Sequence, residues 1–132
     1  MPETNSSPAV DRPPLALIIE DDDKLAMIYV EALHQAGFET AVIHDGAVAL
    51  EQLTTLCPDL IVLDLHLPQV PGDKILSRIR QAECLAQTQV VVTTADAVRA
   101  AQLRDQVDAI LIKPISFLQL RELARRIRAT LA

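Results

Sequence analysis

Short apolar runs alternate with longer amphipathic stretches along this chain. Residues 60–63 are four apolar residues in succession, two of them β-branched, which is the pattern of a strand buried on both faces. In the amphipathic stretches, apolar residues recur at helical spacing; in the first stretch they are Leu25, Ile28, Tyr29, Ala32, Leu33 and Ala36. The pattern predicts strands at 15–19, 40–44, 60–64, 90–94 and 109–112, and helices at 25–36, 47–56, 73–84, 96–106 and 117–131.

Strand and helix alternate five times in this prediction, with short connections between them. Such alternation favours a parallel sheet with right-handed crossovers and helices on both faces. We therefore predict a doubly wound α/β domain over residues 15–132. Residues 1–14 are polar and hold four of the eight prolines, so we predict a disordered lead-in there. Periodicity alone does not give the order of the strands.

Composition narrows the function classes. Aromatic residues make up 2% of the chain, so the core must be aliphatic, and a net charge of −6 argues against direct binding of DNA or other nucleic acids. No apolar run approaches the roughly 18 residues that a membrane span needs. Cys57 and Cys84 lack metal-ligand spacing and follow no signal peptide. We interpret both as reduced thiols in a cytoplasmic protein.

Chemically useful side chains follow four of the predicted strands. Glu20 and Asp21 come directly after the first strand, Asp64 and Thr94 end the third and fourth, and Lys113 follows the fifth. Any one of them alone is more simply a helix cap, a strand residue or a solvated charge. In a parallel sheet, however, the carboxyl ends of the strands meet at one edge, where open α/β sheets bind ligands. Their coincidence there predicts a functional site.

The residue types in this set suggest phosphoryl chemistry. Three carboxylates at one point would repel each other unless a cation held them, and Mg²⁺ (or Mn²⁺) prefers such oxygen ligands. Asp64 could then stay ionised and act as a nucleophile. Thr94 supplies a hydroxyl and Lys113 a positive charge for a phosphoryl group, and such positioning and neutralisation do most of the work in phosphoryl transfer.

Four segments carry a resemblance to a known family: LALIIEDDD, LIVLDLHLPQVPG, VVVTTAD and ILIKP. In this order and spacing the chain resembles the receiver domain of two-component response regulators over residues 15–131. The resemblance implies a flavodoxin-like (βα)5 fold whose parallel sheet has the strand order 2-1-3-4-5. It also implies a phosphorelay signalling function, with a sensor histidine kinase or a histidine phosphotransfer protein as the phosphodonor.

The resemblance assigns roles to individual residues. Asp64 would be the phosphoacceptor, Thr94 the switch hydroxyl and Lys113 the phosphate-binding lysine. Asp21 would bind Mg²⁺ directly and Glu20 through water. The family's lysine–proline bond is typically cis, so we expect a cis Lys113-Pro114 bond.

Two further expectations concern the acid-rich loops. The backbone carbonyl of His66 would be another metal ligand, by the same resemblance. Asp22 and Asp23 extend the acidic run past the predicted pair, and we expect them to cap the following helix. The acidic pair is placed at Glu20 and Asp21 because the apolar strand ends at Ile19.

Three departures from the family pattern stand out. Ile110 occupies the position of the usual aromatic switch residue, so activation would be coupled differently or weakly. The side chains of His66 and Asp96 occupy variable positions that in this family tune dephosphorylation. Pro71 replaces the acid often found before Gly72, which should stiffen the loop.

The expected output is binding to an unknown target protein, because no DNA-binding or catalytic segment follows the last helix. The chain is thus similar to a stand-alone receiver, or to a receiver cut from a longer protein. On the first helix we hypothesise that Ala26, Met27 and Val30 lie off the core face and dock the phosphodonor. Scattered surface hydrophobics are an equally good explanation. Four arginines give the last helix a basic face, interpreted as solvated: Arg121, Arg125, Arg126 and Arg128.

Two other function classes compete with a phosphoacceptor module that has no external substrate. A phosphatase of the haloacid dehalogenase type also uses a strand-end aspartate and Mg²⁺, but it needs a second aspartate where this chain has His66. A degenerate receiver that binds partners without phosphorylation ranks above the phosphatase. Because all the required groups are present, it ranks below the phosphoacceptor.

Overall fold

The sheet and helices follow the predicted alternation. The computed structural model of the protein describes residues 12–131, so residues 1–11 of the predicted lead-in, and Ala132, lie outside the described residues. Within 12–131 the elements are β1 (Leu15–Ile19), α1 (Asp23–Gln35), β2 (Glu39–Ile43), α2 (Gly46–Gln52), β3 (Leu60–Asp64), α3 (Gly72–Gln81), β4 (Gln89–Thr94), α4 (Ala97–Gln102), β5 (Ala109–Ile112) and α5 (Phe117–Thr130), with short 3₁₀ turns at Glu83–Leu85 and Arg104–Gln106.

All strand pairs in the described residues are parallel, and the order is β2-β1-β3-β4-β5. The doubly wound fold and the order implied by the resemblance are therefore confirmed. β3 lies between β1 and β4, with Leu17 opposite Ile61 and Asp64 opposite Thr93. This register places the carboxyl ends of β1, β3, β4 and β5 next to one another.

The core forms one aliphatic layer on each face of the sheet. Alternate strand residues point to opposite faces, so Ile61 and Leu63 pack with α2 and α3, whereas Leu60 and Val62 pack with α1 and α5. Every residue of β3 is buried. Burial of each aliphatic side chain contributes about 1.5–3 kcal/mol, so these layers hold the strand ends in place.

Asp22 and Ser116 cap the starts of α1 and α5, as expected, whereas Asp23, also expected to cap α1, is the first residue of that helix. The Asp22 carboxylate accepts hydrogen bonds from the backbone N–H groups of Lys24 and Leu25, and the Ser116 hydroxyl accepts one from Gln119. Asp23 lies in the first turn of α1, where a negative charge suits the helix dipole.

Three helices end several residues earlier than predicted, among them α3, which ends at Gln81 and is followed by the 3₁₀ turn at Glu83–Leu85. α2 ends at Gln52, and in the following turn the Thr54 hydroxyl donates to the carbonyl of Glu51 at 2.7 Å, a local bond that competes with helix continuation. The stretch 96–106 is divided into α4 and a 3₁₀ turn. The chain must become extended there because Asp108 is already bonded to Val90 at the start of β5.

The buried face of α1 differs from the prediction. Ala26, expected on the surface, is 2% exposed, whereas Ile28, expected in the core, is 43% exposed. The reason is that α1 packs against α5 as well as against the sheet, which rotates its buried stripe. Met27 is 72% exposed and Val30 is partly buried against the core, so Met27 is the one exposed side chain of the hypothesised docking set.

The cysteines also differ from the prediction. Cys57 and Cys84 form a disulfide with their Cα atoms 5.8 Å apart, so the interpretation of two reduced thiols is wrong. Each cysteine lies shortly before one of the adjacent parallel strands β3 and β4. Strand pairing therefore brings them together despite a sequence separation of 27 residues.

The helices of the described residues do not indicate a membrane-spanning segment. Across residues 12–131, none of them has the combination of length and hydropathy that a bilayer span requires.

Candidate functional site

The predicted site residues meet at the carboxyl edge of the sheet. Glu20 follows β1, Asp64 and Thr94 end β3 and β4, and Lys113 follows β5. Glu20, Asp64 and Thr94 are 1%, 2% and 0% exposed. Burial of two carboxylates and a hydroxyl at one edge is unusual for a soluble domain, in which such groups are buried only with partners.

Three carboxylates converge at this edge. Glu20, Asp21 and Asp64 each offer an oxygen, and the three oxygens lie within 4.8 Å of one another. Asp21 is exposed while the other two are buried, so one side of the cluster is open to water. A set of hard oxygen donors with an open side fits Mg²⁺, which keeps several water ligands when it binds to proteins.

Lys113 lies between the two buried acids. Its Nζ atom is 3.1 Å from Glu20 Oε1 and 3.5 Å from Asp64 Oδ2. The backbone N–H of Lys113 donates to the carbonyl of Thr94 at 2.8 Å, which holds the start of this segment against β4. The Lys113-Pro114 bond is cis, as expected.

The crowding of charges changes the pKa values. Burial, and then the neighbouring charge of Asp64, raise the pKa of Glu20 to about 7, against the opposing effects of the Asp22 N–H and of Lys113. Burial by itself lowers the pKa of Lys113, but the charges of Asp64 and Glu20 outweigh it and raise the pKa. Lys113 therefore stays protonated at neutral pH, and Glu20 is the member of the cluster that a cation must keep ionised.

Asp64 is held in a defined orientation. Its Oδ1 atom accepts a hydrogen bond from the backbone N–H of His66 at 3.0 Å, and Oδ2 faces Lys113. The buried strand fixes the backbone, and the two contacts fix the carboxylate. This is the preorganisation that a nucleophile requires.

The Thr94 hydroxyl has two neighbours in the loops above the sheet. It accepts a hydrogen bond from the backbone N–H of Asp96, and it shares another with His66 Nε2, both at 3.0 Å. Sequence reasoning gave His66 a backbone role as a metal ligand and a side chain that tunes dephosphorylation, but it did not identify this contact with Thr94. The position was recognised as variable, and only the fold shows that its imidazole reaches Thr94.

The loop after Asp64 is packed too closely for larger residues. A Cβ atom on Gly72 would lie 2.6 Å from Leu65 Cα, and one on Gly46 would lie 2.8 Å from Val70 Cβ. With its nitrogen facing Asp45, the side-chain amide of Gln69 also donates to that carboxylate at 2.6 and 3.1 Å. These contacts fix the loop that carries the His66 carbonyl.

Two further hydroxyls were not identified from the sequence. Among the described residues, Tyr29 Oη and Thr93 Oγ1 are buried side-chain atoms without a hydrogen-bond partner. Burial and the charges of Glu20, Asp64 and Asp22 raise the pKa of Tyr29, so its hydroxyl stays protonated close to the acids. The only sequence signal was a tyrosine on the core face of α1 in a chain nearly free of aromatic residues.

A family model and a curated relative match most of this chain. A family model described as the response regulator receiver domain matches residues 16–125. The transcriptional regulatory protein TrcR of Mycobacterium tuberculosis is 35% identical over 117 residues, which are 87% of this chain and 44% of TrcR. The chain thus spans less than half the length of that relative.

Solved structures share the fold. The receiver domain of Francisella response regulator 1452 is 27% identical, with a TM-score of 0.76 over 88% of this chain and 97% of that one. The receiver domain of sensor histidine kinase PA1611 from Pseudomonas aeruginosa, solved with a magnesium ion in its active-site cleft, has a TM-score of 0.78 at 21% identity, over 90% of this chain and 100% of that one. The latter likeness concerns the fold alone.

Proposed function

This chain belongs to the response regulator receiver domain family, and from that premise we propose that Asp64 accepts a phosphoryl group from a phosphohistidine. The donor is a sensor histidine kinase or a histidine phosphotransfer protein. The observation that carries the proposal is the buried Asp64 carboxylate, held by the His66 N–H and facing the Lys113 ammonium beside Glu20 and Asp21. Receiver domains are signalling domains rather than enzymes with an external substrate.

In the proposed reaction, a carboxylate oxygen of Asp64 attacks the phosphorus atom. The phosphorus–nitrogen bond breaks, and its electron pair stays with the donor's imidazole. Lys113 turns from Glu20 toward the phosphoryl oxygens and neutralises their charge, a movement that its short distance to both acids supports. The Thr94 hydroxyl, at the end of the neighbouring strand, donates to a second phosphoryl oxygen.

A divalent cation fits the carboxylate cluster. Mg²⁺ (or Mn²⁺), held by Glu20, Asp21, Asp64 and the His66 carbonyl, would supply positive charge to the carboxylates and to one phosphoryl oxygen. We expect Asp21 to bind the ion directly and Glu20 to bind it through water, and the exposure of Asp21 and the contact of Glu20 with Lys113 support this expectation. The raised pKa of Glu20 falls when a cation lies beside it.

Thr94 has a competing partner in His66. Its hydroxyl shares a hydrogen bond with Nε2 of that imidazole, and in the tautomer whose Nε2 carries no proton Thr94 is the donor, which serves only one acceptor at a time. We infer that His66 competes with the phosphoryl group for Thr94. Removal of the imidazole, as in His66→Ala, should therefore change the lifetime of the phosphorylated form.

The signal leaves the domain by protein binding. We propose that this domain itself does not bind DNA, because its net charge is −6 and two of the four arginines of α5 are engaged: Arg121 by Gln35 and Arg125 by Glu122. TrcR is a transcriptional regulatory protein, but its match to this chain covers 44% of its length. An electrophoretic mobility assay in which the isolated domain shifted DNA would contradict the proposal.

A cytoplasmic location remains a prediction. It was argued from reduced cysteines, and the disulfide removes that argument. It now follows from the proposed kinase partner alone.

The experiment that tests the phosphoacceptor role is intact-mass spectrometry after incubation with acetyl phosphate. Wild-type protein should gain one phosphoryl group when Mg²⁺ is present and none when a chelator replaces it. Asp64→Asn should gain none. Asp105→Asn, which changes an exposed acid away from the site, should behave as wild type.

The other outcomes separate the alternatives. If the folded wild type shows no adduct but releases inorganic phosphate steadily, the phosphoryl group forms and is hydrolysed quickly. A folded wild type with neither adduct nor phosphate release would contradict the proposal in favour of a degenerate receiver that binds its partners unmodified. A phosphoryl adduct on Asp64→Asn would show that a residue other than Asp64 is the phosphoacceptor.

A further inference from the structure

The disulfide lies at the edge of the sheet opposite to Asp64. Cys57 precedes β3, and Cys84 lies in the 3₁₀ turn between α3 and β4. The bond therefore encloses β3, the loop after Asp64 and all of α3 in one covalent ring. Both cysteines are exposed, so a small thiol or disulfide can reach them.

The neighbouring residues hold the two cysteines together without help from the bond. Leu85, next to Cys84, is fully buried in the core. Pro58, next to Cys57, is buried, and its carbonyl accepts a hydrogen bond from the Thr88 hydroxyl at 2.7 Å. Because these contacts do not involve sulfur, they persist when the bond is reduced and keep both thiols within reach of each other.

We propose that Cys57 and Cys84 form a reversible thiol–disulfide site whose reaction partner is a low-molecular-weight disulfide such as glutathione disulfide. The thiolate of one cysteine attacks a glutathione sulfur, releases one glutathione and leaves a mixed disulfide. The second cysteine attacks the protein-bound sulfur, closes the bridge and releases the second glutathione. The two cysteines lose two electrons and two protons in all, and the glutathione disulfide takes them up.

The bridge acts on the stability of the enclosed segment. It ties the connection after α3 to the start of β3, while the other end of α3 is packed at Gly72 against Leu65. A cross-link also restricts the unfolded chain, which favours the folded state. The groups of the phosphorylation site lie at the other edge of the sheet, and none of their partners described above is a sulfur atom. Oxidation therefore stabilises the β3–α3 segment and leaves the acid cluster in place.

The test uses wild-type protein equilibrated in glutathione buffers from fully reduced to fully oxidised. Free thiols are alkylated and counted by intact-mass spectrometry, and Tm is measured in each buffer. We expect two alkylated cysteines at the reducing end, none at the oxidising end, and a Tm on the order of 10 °C higher for the oxidised form. In the Cys57→Ser/Cys84→Ser double variant, Tm should not respond to the buffer.

Three results would overturn the proposal. Cysteines that remain alkylatable in the most oxidising buffer would mean that no bridge forms, and a bridge that survives the most reducing buffer would mean that it is permanent. Equal Tm values for the two forms would remove the stabilising role. Should the double variant fail to fold, hydrogen exchange on the wild type gives the same answer, because protection of residues 57–84 must rise on oxidation. None of these readouts depends on phosphorylation of Asp64.

Discussion

The two ends of β3 use acidic residues in opposite ways. At the amino end, each acid accepts hydrogen bonds from the backbone: Asp59 Oδ2 from the N–H of Leu15 at 2.9 Å, and Asp108 Oδ2 from the N–H of Val90 at 2.7 Å. At the carboxyl end, Glu20 and Asp64 also accept backbone hydrogen bonds, but they are buried near each other and share one ammonium group. The acids of the amino end complete the sheet, whereas those of the carboxyl end repel each other.

The difference shows where this fold gives up stability for chemistry. A carboxylate that accepts backbone hydrogen bonds favours the folded state at neutral pH. Buried carboxylates that face each other cost free energy, and the raised pKa of Glu20 is a sign of that cost. The amino end, where carboxylates accept hydrogen bonds from the strand starts and a disulfide joins two segments, contributes bonds that offset this cost.

The largest expected effect comes from removing the shared cation in Lys113→Met. Phosphorylation by acetyl phosphate should slow by about 10²–10³-fold, because a preorganised charge aimed at the transferred group is lost. The rate of adduct formation, measured by intact mass with Mg²⁺ present, checks this. Lys74→Met removes an exposed lysine of α3 and should leave the rate unchanged. A rate for Lys113→Met close to wild type would mean that the ammonium has no part in the transfer.

A change at the amino end should affect stability instead of chemistry. Asp108→Ala leaves the N–H of Val90 without its acceptor at the start of β4, and should lower the free energy of unfolding by about 1–3 kcal/mol in urea denaturation. The phosphorylation rate of the folded protein should not change. Asp108→Asn keeps an oxygen acceptor and should lose less. Slower phosphorylation of the Asp108→Ala variant would contradict the view that the amino end of β3 affects stability and not phosphorylation.

The pH dependence of the free energy of unfolding should reveal the cost of burying Glu20 at the carboxyl end of the sheet. The pKa of Glu20 is raised from 4.5 to about 7 in the folded protein, so the folded state binds an extra proton between these values. Without Mg²⁺, stability should therefore fall as pH rises through this window, by on the order of 2 kcal/mol from this group. Mg²⁺ should reduce the fall because it favours the ionised carboxylate.

Glu20→Gln provides the control, since it removes the titrating group. Its stability should change less between these pH values than that of the wild type, as measured by urea unfolding at several pH values. The raised pKa of Lys113 acts in a separate window, because the charged lysine stabilises the fold until the pH exceeds 10.5. An equal fall in wild type and Glu20→Gln would assign the effect to other groups.

Only part of the contrast between the two ends of β3 could be predicted from the sequence. Continuous apolar runs located β3 at the bounds that the structure has, and the rule that parallel strands end at one edge brought Asp64, Thr94 and Lys113 together. Strand order and the cis proline came from the resemblance, because periodicity carries no information on either. The sequence was informative about features that depend on a single strand or on the residue at the end of one strand.

The missed features depend on which elements touch. Ala26 and Ile28 were placed on the wrong sides because the pattern of α1 does not show that α5 covers part of it. Cys57 and Cys84 were considered separately, although pairing of β3 with β4 brings their segments together. The contact of His66 with Thr94 depends on the conformation of a loop side chain, which no sequence periodicity describes.

The smallest predicted effect tests a hydroxyl beneath the acids. Tyr29 Oη is buried without a partner among the described residues, and a buried unsatisfied hydroxyl costs free energy. Tyr29→Phe should therefore leave the free energy of unfolding unchanged or raise it by up to about 1 kcal/mol, because the ring keeps its packing while the desolvated group disappears. Thr93→Val, which removes the other such hydroxyl at constant shape, is the matched comparison. Urea unfolding with an unchanged m value would measure both. A loss of stability in Tyr29→Phe alone would show that its hydroxyl has a partner, such as a buried water shared with the carboxylates. Tyr29 would then belong to the hydrogen bonding of the acid cluster as well as to the packing of α1.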